Sequence, residues 1–351
     1  MDAEKYIDLL KKLISTPSIS RQEQDTAQVL YDFFVSLGIE NVERLQNNVF
    51  ARNKYFDPTK PSVLLNSHHD TVKPNASYTR DPFKAELENG KLYGLGSNDA
   101  GASGVSLLAA FMHFYERKDL KYNLIIAITA EEEISGLNGL EAVLPELGEL
   151  KFAIVGEPTH MQMAIAERGL LVLDCTAHGV AGHAARNEGD NAIYKAIKDI
   201  EWIQNYKFPK VSDLFGDVKM TVSIIGAGTQ HNVVPDKCTF TVDVRVTDKY
   251  TNQEVVDIVS EHLQSEVKPR SLRLRPSSIS PEHEIVKAGL ELGLTTYGSP
   301  TTSDQVKLIG VDSVKIGVGD SARSHSADEY VYIEEIENGI EIYIALLEKV
   351  L

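Results

Sequence analysis

The sequence is poor in cysteine and has no long apolar segment. Only two of the 351 residues are cysteines, Cys175 and Cys238, which is too few for the disulfide framework of a small secreted domain. The longest apolar run, at residues 124–129, is far shorter than the roughly 18 residues of a transmembrane helix. The first residues also lack the basic segment and apolar stretch of a secretory signal. These absences lead us to expect a cytoplasmic protein.

Positive charge is scarce as well. The chain has 51 acidic residues against 35 lysines and arginines, which gives a formal net charge of −16 at pH 7. Nucleic acids and anionic membranes repel a protein of this charge, so we expect neither as a partner. The acidic residues are spread along the chain rather than gathered in a tail, and 42% of all residues are hydrophobic, as is typical of a globular protein.

Apolar runs separated by helical patterns predict an α/β fold. The runs have the length and composition of buried strands, and segments with apolar residues at helical spacing lie between them. This alternation is typical of a sheet covered by helices on both faces. Ser20 and Glu23 indicate a capping box at the start of one such helix, which is predicted to end at Gly38. The strands are predicted at residues 62–66, 122–129 and 152–155.

The middle of the chain has a different pattern. Between residues 167 and 276, half-exposed strands and two helices follow one another in the order strand, helix, strand, strand, helix, strand, as in a small α+β layer. After Pro276 the α/β pattern returns, and the chain ends in a predicted helix over residues 331–351. We therefore predict one domain formed by residues 1–166 and 277–351, interrupted by an inserted α+β domain of residues 167–276.

Five short motifs contain histidine or carboxylate residues and follow predicted strand ends. In open α/β sheets, functional sites collect at the carboxyl ends of strands, so we expect the five motifs to meet at one site. Each motif alone has an ordinary explanation, such as a surface ion pair, a solvated helix start or a turn, and the interpretation depends on all five occurring in this order. The motifs are Ser67-His-His-Asp70, residues 93–101 with Asp99, Thr129-Ala-Glu-Glu-Glu133, Gly156-Glu-Pro-Thr159 and residues 319–329 with His325.

The residue types in these motifs suit metal chemistry. Two histidines with at least three carboxylates are the donor set of Zn²⁺, or of a related metal such as Co²⁺. Two ions would need one bridging carboxylate and, on each ion, about one histidine and one further carboxylate, and the motifs supply that number. Such a pair of ions, roughly 3.5–4 Å apart, holds a water between them and lowers its pKa. A neighbouring carboxylate can then accept the proton of this water.

Together the five motifs resemble the co-catalytic zinc family that includes acetylornithine deacetylase and succinyl-diaminopimelate desuccinylase, and the resemblance covers nearly the whole chain. It implies a zinc-peptidase-like catalytic domain with a mixed central sheet flanked by helices, plus an inserted lid domain at residues 167–276 that mediates homodimerisation. Among the metal ligands that it implies, Asp99 bridges two zinc ions. The implied ligands are His68, Asp99, Glu133, Glu157 and His325.

The resemblance also implies roles for residues around the metals. Asp70 would orient His68, and Glu132 would be the general base. His183 on the lid would reach the site of the partner subunit and stabilise the oxyanion, with His178 as the competing candidate. The substrate would be held by Asn232, Arg245, Thr302 and Ser303.

Two segments depart from the family pattern. The family's Gly-Arg-Gly before the bridging aspartate is Gly-Leu-Gly at residues 94–96, and its Lys-Gly after that aspartate is replaced by Ala-Gly-Ala at residues 100–102. These changes lie beside the ligands, so they bear on the tuning of the site rather than on metal binding. The cis peptide bond of the family would fall between Asp99 and Ala100.

The predicted function is the metal-dependent hydrolysis of the amide bond of an N-acyl amino acid. The leading substrates are N-acetyl or N-succinyl derivatives of ornithine or citrulline, which would place the enzyme in arginine biosynthesis, or the equivalent derivatives in lysine biosynthesis. A dipeptidase or aminopeptidase of the same family is the alternative within this fold. A catalytically inactive binding protein is a more remote alternative, against which the presence of Glu132 and all five ligands counts.

Overall fold

The chain forms two compact units. The computed structural model describes residues 3–186 and 188–351. The predicted domain boundaries, at residues 167 and 276, each lie within one residue of a boundary between the units. The first unit comprises the described residues up to Ile165 with Ser278–Tyr297 and Ser303–Leu351, and the second comprises the described residues of Ala166–Ser277 with Gly298–Thr302.

The segment Gly298–Thr302 differs from the prediction, which included it in the domain completed by residues 277–351. The structure groups this segment with the second unit. Gly298 lies so close to the ring of Phe215 that a Cβ atom at this position would come within 2.6 Å of it. The carbonyl of Ser299 also accepts a hydrogen bond of 3.4 Å from the backbone N–H of Arg168. These contacts explain why the five residues Gly298–Thr302 group with the second unit.

The described residues form eight α-helices and eighteen β-strands. Up to the first boundary they are α1 (Glu4–Ile14), α2 (Gln24–Ser36), β1 (Val42–Leu45), β2 (Asn48–Arg52), β3 (Ser62–His68), β4 (Glu86–Glu88), β5 (Lys91–Tyr93), α3 (Ala102–Phe114), β6 (Asn123–Thr129), α4 (Leu140–Val143), β7 (Leu150–Val155) and β8 (Met163–Glu167). The middle of the chain forms β9 (Gly169–His178), β10 (Gly182–His183), α5 (Ala192–Asn205), β11 (Lys219–Ala227), β12 (Val233–Val234), β13 (Lys237–Val246), α6 (Asn252–His262), β14 (Glu266–Pro269) and β15 (Ser277–Ser278). The last part forms α7 (Glu284–Glu291), β16 (Thr296–Ser299), β17 (Asp312–Lys315), β18 (Tyr330–Tyr332) and α8 (Ile333–Val350).

A mixed sheet is the centre of the first unit. Among the described residues, nine strands are hydrogen-bonded in the order β1-β2-β6-β3-β7-β17-β8-β15, with β16 also paired to β8. β6, β3, β7 and β17 run parallel, and the strands on either side of them join by antiparallel pairing. Val63 and Leu65 of β3 face one apolar core, which includes α3 and α8, and Leu64 faces another, which includes α4. Helices therefore cover both faces, and the predicted α/β fold with a mixed central sheet is confirmed.

The parallel strands bring three loops to one edge of this sheet. β3 and β6 are buried along their whole length, and their apolar residues lie at positions 63–65 of β3 and 124–128 of β6. β3 ends at His68, which pairs in register with Thr129, the last residue of β6. Asn66 pairs with Val155, the last residue of β7. The residues that follow these three strand ends therefore meet at the carboxyl edge of the sheet.

Ser20 and Glu23 do not form the predicted capping box. α2 begins four residues after Ser20, and no side chain caps its first turn. The Ser20 hydroxyl instead donates a hydrogen bond of 2.7 Å to Asp70, and the Glu23 carboxylate accepts a backbone N–H two residues before it. Because both side chains have these other partners, the prediction is wrong at this position. Gly38 does follow the helix, and its φ of +79° is the left-handed conformation that glycine adopts readily.

The second unit is an α+β layer, as the sequence predicts. Its antiparallel sheet has the order β11-β13-β9-β14. Apolar residues of α5 and α6 pack with the sheet in a separate core, which contains Leu173, Phe240 and Val255. In a further short pair of strands, His183 of β10 lies opposite Val233 of β12. No helix in the described part of the chain has both the length and the apolar character needed to cross a bilayer.

Candidate metal centre

The carboxyl edge of the central sheet holds a cluster of imidazole and carboxylate groups. His68, the last residue of β3, is buried. Its Nε2 atom lies 3.3 Å from Oδ1 of Asp99, 3.7 Å from Oε1 of Glu157 and 4.0 Å from Oε2 of Glu132. These residues come from four separate segments of the chain, so it is the fold that brings them together.

A second imidazole lies on the other side of Asp99. His325 is in the loop before β18, and its Nε2 atom is 2.9 Å from Oε2 of Glu133 and 3.6 Å from Oδ2 of Asp99. Asp99 therefore turns Oδ1 toward His68 and Oδ2 toward His325. A carboxylate in this position can bridge two ions, each of which has its own imidazole. The peptide bond between Asp99 and Ala100 is cis, as the resemblance implies.

This donor set fits a pair of divalent ions. Two overlapping groups of side chains have ligating atoms that lie within 4.8 Å of one another. Burial raises the pKa of Glu157 to about 8 and raises the pKa of Glu132 well above its usual range. Ionised carboxylates at this depth are costly unless cations neutralise them, and imidazole nitrogens with carboxylate oxygens are ligands of zinc. The groups are His68, Asp99 and Glu133, and His68, Glu132 and Glu157.

Asp70 holds several parts of the cluster in place. Its backbone carbonyl accepts a hydrogen bond of 3.0 Å from Nδ1 of His68. When the ring is neutral, Nδ1 therefore carries the proton, and the unprotonated Nε2 faces the carboxylates. Its carboxylate accepts hydrogen bonds from the hydroxyl of Ser20 at 2.7 Å and from the backbone N–H groups of Glu132 and Glu133 at 2.9 and 3.2 Å. Burial alone would raise the pKa of Asp70, but the hydrogen bond and charge of His68 lower this pKa to about 2. Asp70 therefore remains ionised.

Only two of the three consecutive glutamates point into the cluster. Glu131 has a positive φ of 53°, and its carboxylate accepts a hydrogen bond of 2.9 Å from the side-chain amide of Asn138. Glu132 approaches His68, and Glu133 approaches His325. The structure thus brings both residues to the cluster, and their roles as base and as ligand stay predictions.

A buried ion pair next to the cluster was missed by the sequence analysis. The side chains of Asp304 and Lys307 are each 1% exposed, and Nζ lies 2.7 Å from Oδ1. Oδ2 of Asp304 accepts a hydrogen bond of 3.0 Å from the hydroxyl of Thr129, at the end of β6. Burial alone would lower the pKa of Lys307, but the charges of Asp304 and Glu132 raise this pKa. In the sequence, Asp304 directly follows Thr302 and Ser303, the two residues for which a substrate contact is predicted.

Those two residues, Thr302 and Ser303, fall in different units. Ser303 is buried, and its hydroxyl accepts a hydrogen bond of 3.2 Å from the backbone N–H of Gln305. This contact caps the short 3₁₀ helix Asp304–Lys307 and gives the Ser303 side chain a structural role. The hydroxyl of Thr302 is buried as well. Their contacts with substrate stay predictions.

In the second unit the structure brings His183 and Asn232 together. The residue after His183 donates its backbone N–H to the carbonyl of Asn232 at 3.0 Å. The exposed ring of His183 accepts the N–H of Ala185 at Nδ1, at 3.1 Å, so Nε2 carries the proton when the ring is neutral. Such an N–H is a suitable donor to an oxyanion. The competing candidate, His178, has Nε2 at 3.4 Å from Oε2 of Glu266.

Arg245 already has an acidic partner. Its guanidinium forms two hydrogen bonds with the Asp243 carboxylate, at 2.8 and 3.2 Å. Both side chains are about a third exposed, at 34%. A strand arginine paired with a nearby aspartate is the ordinary explanation of this residue, and a contact between Arg245 and substrate stays a prediction.

Comparison with protein families gives a match over most of the chain. Residues 64–349 match the model of peptidase family M20/M25/M40, and this range contains the whole imidazole and carboxylate cluster. Succinyl-diaminopimelate desuccinylase of Corynebacterium glutamicum is 29% identical over 359 residues, an alignment that covers 94% of this chain and 92% of the relative.

Solved structures share the same fold. The aminopeptidase PepT of Bacillus cereus superposes with a TM-score of 0.79 at 19% identity, over 100% of this chain and 99% of the other. A dinuclear metal binding peptidase of the M20 family from Bacillus subtilis superposes with a TM-score of 0.75 at 16% identity, over 99% and 97% of the two chains. At these identities the likeness establishes the fold alone.

Proposed function

This chain belongs to peptidase family M20/M25/M40 and is a metal-dependent amidohydrolase, and we propose that its substrate is an N-acyl amino acid. The observation that carries the proposal is the position of Asp99, which turns one carboxylate oxygen toward His68 and the other toward His325. This arrangement supports a dinuclear centre, and a dinuclear centre supports the attack of water on an amide carbonyl.

The proposed ligands form two sets that share Asp99. His68 and Glu157 would hold one ion, and Glu133 and His325 would hold the other. Zinc is the proposed metal, with cobalt as a possible substitute, because the donors are imidazole nitrogens and carboxylate oxygens. When bound, such ions polarise the acyl carbonyl and lower the pKa of the attacking water.

Glu132 is the proposed general base. Its carboxylate lies 4.0 Å from the imidazole of His68, and its backbone N–H is held by Asp70. Burial raises its pKa above that of an exposed glutamate, which brings its basicity closer to neutral pH, where a general base is most effective. Glu132 would accept a proton from the attacking water and then deliver it to the nitrogen of the leaving amino acid.

Residues of the second unit are proposed to bind the substrate and the oxyanion. Arg245 would pair with the α-carboxylate through two parallel hydrogen bonds, and Asn232 would add a polar contact. His183 would donate Nε2–H to the oxyanion in the site of a partner subunit. The further contacts proposed are those of Thr302 and Ser303.

A homodimer is part of this proposal. The second unit exposes large apolar side chains on α5 and on β11, and apolar surface of this kind is often covered by a protein partner. β11 is also an edge strand, which another chain can cover or extend. The exposed fractions are 67% for Tyr194, 51% for Ile197, 61% for Ile224 and 55% for Ile225.

The acyl group and the amino acid are proposed from the relatives. Their name, succinyl-diaminopimelate desuccinylase, favours a succinyl group on a diamino acid of lysine biosynthesis. The acetyl and succinyl derivatives of ornithine and citrulline, which belong to arginine biosynthesis, are the second choice. A dipeptidase or aminopeptidase of the same family is the competing function, and the fold shared with the aminopeptidase PepT supports this alternative.

A substrate panel tests this proposal. The zinc-loaded enzyme is assayed with N-succinyl and N-acetyl derivatives of diaminopimelate, ornithine, citrulline and lysine, and with dipeptides of the same amino acids. We expect kcat/KM for at least one N-acyl amino acid to exceed that for every dipeptide. A preference for dipeptides would support the peptidase, and binding without turnover of any compound would support an inactive binding protein.

A further inference from the structure

Glu329 is a buried carboxylate that lies four residues after His325. It is 1% exposed. Its carboxylate accepts three backbone N–H groups of one loop, those of Gly96 at 3.1 Å, Asn98 at 2.8 Å and Asp99 at 2.9 Å. Burying a carboxyl group without hydrogen-bond partners is costly, and these three N–H groups supply the partners. The loop that carries Asp99 is therefore fixed to Glu329.

The same loop is fixed to the segment of His325 at a second point. The side chain of Asn98 donates a hydrogen bond to the carbonyl of Asp320 at 3.0 Å, and its Oδ1 atom accepts the N–H of Asp320, also at 3.0 Å. Asp320 lies five residues before His325, and Glu329 lies four residues after it. The backbone beside Asp99 is thus bound to both ends of the segment that presents His325.

We propose that Glu329 is a positioning residue that sets Asp99 relative to His325, so that one carboxylate reaches both metal ions. Without the three hydrogen bonds, the backbone at Asp99 would be free to shift against the His325 segment. A shift of this kind would weaken the bridge, because Oδ1 and Oδ2 each have to face a different imidazole. The inference rests on the proposed metal roles of Asp99 and His325.

Asp328 provides a matched control. This neighbouring carboxylate also accepts backbone N–H groups, from Thr79 and from Arg80, each at 2.9 Å, and the hydroxyl of Thr79 at 2.5 Å. Its partners belong to a different loop, which carries none of the proposed ligands. Replacing Asp328 therefore removes hydrogen bonds to backbone N–H groups from the same segment, but none of those that Glu329 makes with the loop of Asp99.

The test is zinc binding by the metal-free proteins. Wild type, Glu329→Gln and Asp328→Asn are titrated with zinc alone, in competition with a chelator of known affinity, and their melting temperatures are compared without metal. The amide of Glu329→Gln keeps the size of the side chain but turns an N–H₂ group toward the loop N–H groups. We expect the affinity for at least one of two zinc ions to fall about 10–100-fold in Glu329→Gln and to be unchanged in Asp328→Asn.

Two zinc ions bound by Glu329→Gln with wild-type affinity would overturn the inference, and so would an equal loss in Asp328→Asn. If Glu329→Gln does not fold, Glu329→Asp replaces it in the same titration and is judged by the same outcomes. Aspartate keeps the carboxyl group, but its shorter side chain places the oxygens farther from the N–H groups of the loop. Failure of the wild type itself to bind two zinc ions would contradict the proposed function instead. In kinetic assays the positioning role predicts a lower kcat with little change in KM.

Discussion

The carboxylate of Asp70 accepts a hydrogen bond of 2.9 Å from the backbone N–H of Glu132. The same carboxylate accepts the N–H of Glu133, and the backbone carbonyl of Asp70 accepts Nδ1–H of His68. One buried residue therefore sets the ring of a proposed ligand and the loop of the proposed base. Only the first of these roles is predicted for Asp70 from the sequence.

Replacing Asp70 should therefore affect both the metals and catalysis. In Asp70→Asn, the amide nitrogen would meet the N–H of Glu132 or of Glu133, so at least one hydrogen bond is lost. We expect kcat or zinc affinity to fall about 10–100-fold, measured by steady-state kinetics and zinc titration. Ser20→Ala, which removes a single hydrogen bond to Asp70, is the control and should have a smaller effect. Wild-type kcat and zinc affinity in Asp70→Asn would contradict this prediction.

Zinc binding should release protons at neutral pH. Hydrogen bonding to Glu133 raises the pKa of His325 to about 9, and burial raises the pKa of Glu157 to about 8. Both groups hold a proton at pH 7 in the metal-free protein, and each must lose it to bind a metal. Zinc affinity should therefore increase as the pH rises from 6 to 8. Calorimetric titration in two buffers of different ionisation enthalpy counts the protons, and a release of none would contradict the prediction.

Arg245→Ala should weaken the binding of substrates that have a free α-carboxylate. Loss of a charge-assisted pair costs about 1.5–3 kcal/mol, which corresponds to a KM increase of roughly 10–150-fold when KM reflects binding. Asp243→Asn is the control, because it removes the negative charge with which Arg245 pairs within its own strand. An unchanged KM in Arg245→Ala, with a melting temperature lowered as in Asp243→Asn, would show that the pair is only structural.

Mixed dimers test whether His183 acts in the neighbouring subunit. His183→Ala and Glu132→Ala should each be nearly inactive alone. In a mixed dimer, one of the two sites would have both an intact Glu132 and an intact His183 from the other chain. Co-refolding in equal amounts should give about one half mixed dimers and so roughly a quarter of wild-type activity, by the symmetry of the pairing. If mass spectrometry finds mixed dimers and activity does not recover, His183 has no role in the partner's site.

The convergence of the cluster could be predicted because it depends on patterns within short segments. The apolar runs at residues 62–66, 122–129 and 152–155 correspond to β3, β6 and β7, and parallel strands place their carboxyl ends at one edge. His68 and Glu157 follow directly from this rule, because each lies at or just after such a strand end. Residue pattern alone does not distinguish Glu131, which turns away to Asn138, from Glu132. It is the family resemblance that assigns the roles of base and ligand to Glu132 and Glu133.

Contacts between distant segments could not be predicted in this way. Ser20 and Glu23 have the spacing of a capping box, yet the Ser20 hydroxyl donates its hydrogen bond to Asp70, fifty positions later in the chain. A capping box that the structure does contain, between Thr251 and Glu254 at the start of α6, has the same spacing. Glu329 lies within a motif that the sequence analysis quoted, but its partners are about 230 residues earlier in the chain. Local spacing carries no information on such partners.

Glu132 is proposed to move protons at a metal centre to which Glu133 contributes a ligand. The most direct measurement compares zinc content and kcat in Glu132→Gln and Glu133→Gln, purified and assayed side by side on the best substrate of the panel. We predict that Glu132→Gln keeps two zinc ions and loses at least roughly 10²-fold in kcat, the lower end of the usual contribution of a general base. Glu133→Gln should lose zinc. Full activity in Glu132→Gln, or loss of zinc in that variant while Glu133→Gln retains it, would contradict the account.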